Sequence, residues 1–122
     1  MTLQRSLLAC AAGVLLAASG ASAWAHAHLE TSAPAADAAV ASPAAVELTF
    51  TQKLEPSFSG IDLVGSDGKP AAAGTAAVAP GDAARLVLPV ASPLAPGVYE
   101  VRWHVLSVDG HKTNGSYRFT VK

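Results

Sequence analysis

Four histidines and one carboxylate carry the chemistry open to this chain. His26, His28, His104 and His111 are its only histidines, and Asp109 stands two residues before His111 across Gly110. Imidazole nitrogen, carboxylate oxygen and a free α-amine together form a ligand set that suits tetragonal Cu(II). A chain beginning at His26 could chelate one ion through its amine and ring Nδ1, with His111 adding a nitrogen and Asp109 an oxygen. His28 suggests a rival. A free amine followed by a non-proline residue and then histidine can wrap Cu(II) or Ni(II) in a square plane, using the Ala27 and His28 amide nitrogens and the His28 ring. Each residue also has a plainer reading. Asp-Gly is a common turn pair, His111 alone reads as a loop histidine, and a histidine pair at a chain start is often solvated. His104 shares a strand face with Glu100 and Arg102 and reads as a surface residue. The conjunction, not any single motif, raises the metal reading.

The segment that must position Asp109 and His111 is the most regular in the sequence. Tyr99, Val101, Trp103 and Val105 alternate with Glu100, Arg102 and His104, the pattern of a strand with one face on a core and the other in water. Trp103 falls on the core side, where it would report on copper by fluorescence quenching without binding it. The same alternation marks Val46 to Phe50, Phe58 to Leu63, Leu86 to Val90 and Tyr117 to Val121. Residues 26–31 could form a first strand, and Ala71 to Val78 reads as a weak edge strand. Ser66-Asp67-Gly68-Lys69 and Pro80-Gly81-Asp82 are turn signals. Ser32 to Pro43 reads as a loop, and the alanine-rich Ala35 to Ala45 allows one short turn at most. About seven short strands and no helix predict an all-β, antiparallel sandwich or barrel.

The first 25 residues read as a separate object. Arg5 precedes an uncharged apolar run from Leu7 to Ala18, followed by small residues. This is the layout of a cleavable secretory signal peptide, with an apolar run too short to span a membrane. Overlapping Ala-x-Ala sites would cut after Ala23, Ala25 or Ala27, exposing Trp24, His26 or His28. Cleavage after Ala25 is the expected one. It leaves residues 26–122, one small domain with a single core. Losing Arg5 takes the net charge from −1 to −2, and no basic patch argues for nucleic acid or anionic lipid. The sole cysteine, Cys10, and the sole methionine, Met1, lie in the removed segment. The exported domain therefore has no disulfide and no sulfur donor for soft Cu(I).

Several segments resemble, in order, the CopC family of periplasmic copper resistance proteins. They are His26-Ala27-His28-Leu29, Ser32-Ala33-Pro34, Leu54 to Gly60, Pro96 to Trp103, Ser107-Val108-Asp109-Gly110-His111 and Gly115 to Phe119. The resemblance implies an immunoglobulin-like antiparallel β-sandwich over residues 26–122 that holds one Cu(II) per chain. Its implied ligands are His26, through amine and ring, with Asp109 and His111; His28 is a possible accessory ligand or supporting group. It implies a periplasmic carrier that sequesters or delivers copper, without enzyme activity and without stable membrane insertion after processing. It further implies a partner of the CopD inner-membrane type. Some members also hold Cu(I) in a methionine-rich loop, which this chain lacks, so no Cu(I) site is expected. Two readings of other classes stand beside it. One is a copper-dependent oxidase or monooxygenase with an N-terminal histidine site, for which so small a domain leaves little substrate face. The other is a metal-free structural sandwich domain.

Overall fold

The computed structural model describes residues 27–122. His26 and the expected signal peptide lie outside the described residues. Eight strands form two four-stranded sheets: β1 (Leu29–Ala33), β2 (Ala39–Val40), β3 (Ala45–Phe50), β4 (Gly60–Val64), β5 (Ala77–Ala79), β6 (Asp82–Pro89), β7 (Gly97–Leu106) and β8 (Lys112–Val121). One sheet has the order β1-β3-β6-β5 and the other β2-β8-β7-β4. No α-helix occurs among the described residues.

The alternation seen in the sequence is the alternation of burial. Val46, Leu48 and Phe50 of β3 and Leu86 and Leu88 of β6 face Tyr99, Val101 and Val105 of β7 and Phe119 and Val121 of β8 in one core. Burying each such side chain contributes about 1.5–3 kcal/mol. Phe50 of one sheet meets Trp103 of the other edge-to-face, with ring centroids 5.1 Å apart, and Tyr99 stacks on Phe119 at 5.8 Å. On the outer face of β7, Glu100 pairs with Arg102 and lies 3.7 Å from Arg118. Its carboxyl is held below the ordinary range, chiefly by the Arg102 hydrogen bond.

The structure differs from the sequence reading in detail. The Ser32 to Pro43 stretch contains the end of β1 and all of β2, and β2 runs parallel to β8, so the sandwich is not wholly antiparallel. The strand β2 is two residues long, too short to show any period. Within this stretch a single turn forms, with the Ala38 N–H donating to the Ala35 carbonyl and Asp37 at φ 63°. Phe58 ends a 3₁₀ turn over Pro56–Phe58 and is 62% exposed, so it does not belong to the core side of β4. From Ala71 to Val78 only the last two residues reach a strand, the edge strand β5.

β7 and β8 position the candidate site. They pair without a slip from Gly97 opposite Val121 to Leu106 opposite Lys112. A one-residue slip would turn every side chain of a strand to the other face, and the buried face forbids it. Residues 107–111 are therefore a hairpin loop whose placement is set by twenty flanking strand residues.

Candidate metal centre

Ser107 anchors this loop. It is fully buried and pairs as an isolated bridge with Leu54. Its N–H donates to the His111 carbonyl at 3.0 Å, and its carbonyl accepts the Gly110 N–H at 2.8 Å. Gly110 sits at φ 93°, a left-handed conformation that favours glycine. The Val108 N–H donates to the Lys53 carbonyl at 3.0 Å, which ties the loop to the segment after β3.

The side chains follow from that backbone. The Ser107 hydroxyl donates to Asp109 Oδ1 and accepts the His111 N–H at 3.3 Å. Asp109 Oδ1 lies 3.1 Å from His111 Nδ1, with the two side chains 40% and 43% exposed. The Ser107 hydrogen bond, and after it that of His111, holds the Asp109 carboxyl below its usual range. A neutral imidazole can hold a metal through Nδ1 or Nε2, and with Nδ1 beside the carboxylate Nε2 is the nitrogen left for one. The pair thus offers a nitrogen and an ionised carboxylate at an accessible end of the sandwich.

The start of the described chain reaches the same end. Ala27 is fully buried, and its carbonyl accepts the Thr113 hydroxyl at 2.9 Å, two residues beyond His111. The His28 N–H donates to Thr51 Oγ1 at 2.9 Å, and the His28 carbonyl accepts the Thr51 N–H at 2.9 Å. These bonds continue the pairing of β1 with β3 and fasten the N-terminal segment across to β8. They also bear on the amide chelate, because the His28 nitrogen it would deprotonate is already donating to Thr51.

Asp109 and His111 are therefore brought together. His28 is exposed, and among the described residues no three His, Cys, Asp or Glu side chains form a metal-holding group. His104 lies on the outer face of β7 opposite Gly60 and Asn114, with its ring against Gly60. Sequence reading assigned no role to Ser107, Thr51 or Thr113. For Ser107 a signal exists in its spacing, since a hydroxyl two residues before an Asp-Gly pair can bond within the turn. For the threonines there is none, because their partners are 23 and 86 residues away.

The family model described as the CopC domain matches residues 29–122. Protein YobA of Escherichia coli (strain K12) is 46% identical over 102 residues, covering 83% of this chain and 82% of the relative. Copper resistance protein C of Xanthomonas campestris pv. juglandis is 39% identical over 116 residues, covering 89% and 91%. Among solved structures, CopC from Methylosinus trichosporium OB3b matches with a TM-score of 0.74 at 38% identity, covering 80% of this chain and 94% of that one. PcoC, a methionine-rich copper resistance protein from Escherichia coli, matches with a TM-score of 0.70 at 37% identity, covering 80% and 99%.

Proposed function

The chain belongs to the CopC family, and from that membership we propose that it is a periplasmic carrier holding one Cu(II) ion on His26, Asp109 and His111. It is a copper-binding protein of the resistance type and not an enzyme. The observation that carries the site assignment is the hydrogen bond from Thr113 to the Ala27 carbonyl. His26 is one peptide bond from Ala27, and Thr113 is two residues from His111. Signal cleavage after Ala25 frees the His26 amine, and the ion is taken by that amine, the two imidazoles and the Asp109 carboxylate. His28 keeps an accessory role. The absence of methionine and cysteine from residues 26–122 leaves no soft donor for Cu(I), in contrast to the relative described as methionine-rich. Cargo held at an exposed end suits transfer to a membrane partner of the CopD type.

The test is the N-terminal mass of the exported protein, followed by Cu(II) titration of that species and of its His111→Ala variant. One ion per chain in the first and a loss of most affinity in the second support the site. Wild-type affinity in His111→Ala, or a mature N-terminus at Trp24, refutes it.

A further inference from the structure

We propose that Thr51 and Thr113 select the coordination mode, holding the N-terminal segment so that copper takes the folded site and not the amide chelate of the same residues. This inference rests on the ligand assignment above. Two modes compete for one amine. In the folded mode the ion uses His111 and Asp109 and leaves the peptide nitrogens protonated. In the amide mode the Ala27 and His28 nitrogens each lose a proton to solvent as a Cu–N bond forms, the His28 ring closes the square, and no electron is transferred.

The two threonines act on both sides of this competition. Thr51 Oγ1 accepts the His28 N–H at 2.9 Å, and the Thr51 N–H holds the His28 carbonyl at 2.9 Å. Deprotonating the His28 nitrogen would remove the donor of the first bond. Wrapping the segment around a metal would break the second. Thr113 holds the Ala27 carbonyl at 2.9 Å from the other sheet, so the segment cannot curl without also leaving β8. Ala27 is fully buried in the core cluster, and the amide mode would have to withdraw it. The same three bonds that oppose curling hold the N-terminal segment near His111, which favours the folded mode.

The experiment compares the processed protein beginning at His26 with Thr51→Val, Thr113→Val, the double variant and the serine replacements at both positions. Valine keeps the shape and removes the hydroxyl. Cu(II) is the probe, read by visible absorption, electron paramagnetic resonance and the protons released on binding. Each hydroxyl removed should weaken the folded mode by roughly three- to tenfold. In the double variant the d–d band should move to shorter wavelength as amide nitrogens enter the plane, with extra protons released and no further effect of His111→Ala. Serine at both positions should restore the wild-type spectrum. A double variant that keeps the wild-type spectrum and its dependence on His111 overturns the selection role alone. A wild-type protein that already shows the amide spectrum and ignores His111→Ala overturns the site assignment, and the selection role with it. Should the double variant lose its strand signal in circular dichroism, Thr51→Val, at an exposed position, decides by the same two readouts.

Discussion

Replacing Gly115 by alanine should destabilise the sandwich, although alanine is the better strand residue. A Cβ at Gly115 would stand 2.5 Å from Cζ2 and 2.8 Å from Cε2 of Trp103. Gly115 is opposite Trp103 in the β7–β8 ladder, so the indole lies across the glycine. Retreat toward the core is blocked, because the Phe50 ring meets the indole at 5.1 Å and is itself 2% exposed. Forcing a methyl into such a contact costs about 1–3 kcal/mol. Against this, Gly→Ala in a strand recovers about 0.5–1 kcal/mol of backbone entropy. The net loss is roughly 1 kcal/mol, which lowers the Tm of a domain of this size by about 4–8 °C. The assay is thermal unfolding of the processed protein by circular dichroism, run as a cycle with Trp103→Leu. Without the indole the sign should reverse, and Gly115→Ala should be neutral or stabilising by up to ~1 kcal/mol. A Tm at or above wild type in Gly115→Ala refutes the reasoning, as does an equal loss in both backgrounds.

Three further outcomes follow from the site. Ser107→Ala removes the hydroxyl that braces Asp109 and should weaken Cu(II) binding about 10-fold. Competition with a chromophoric chelator measures this, and the effect should shrink in an Asp109→Ala background to the part that comes from the His111 N–H, which the same hydroxyl accepts. The folded-state carboxyl of Asp109 is depressed, first by Ser107 and then by His111. It therefore contributes stability above its unfolded value and loses it only as pH falls through the lower folded one. Copper release on mild acidification should then come from the nitrogen donors, below about pH 6, while carbon-detected NMR of the Asp109 carboxyl shows it still ionised; coincident midpoints would refute this. Extending the processed chain by one residue before His26 converts the amine into a peptide nitrogen. It should abolish the wild-type Cu(II) spectrum while leaving the Tm of the apo-protein unchanged.

Much of the fold was legible because strand burial is a local, period-two property. Tyr99, Val101, Trp103 and Val105 announced β7, and Val46, Leu48 and Phe50 announced β3, because alternate side chains of any strand must face opposite ways. The elements that escaped were those without a period. β2 has two residues and takes its place by pairing in parallel with β8. Phe58 looked like a core residue, but the Pro56–Phe58 turn points it to solvent. The candidate site divides the same way. Asp109-Gly110-His111 stands out because its residues are neighbours, whereas Ser107, to which the sequence reading assigned no role, shows its part in its burial and its bond to Asp109.

Residue chemistry alone determined the kind of site this chain can offer: imidazole, carboxylate and, under the proposed cleavage after Ala25, an amine, with no sulfur in residues 26–122. Those are properties of side chains and need no fold. Tertiary structure decided which residues stand together. The loop holds His111 Nδ1 3.1 Å from Asp109, and the two sheets bring Ala27 to Thr113 across 86 residues of chain. No window of sequence contains such a contact, because it exists only where the start of β1 in one sheet passes the start of β8 in the other.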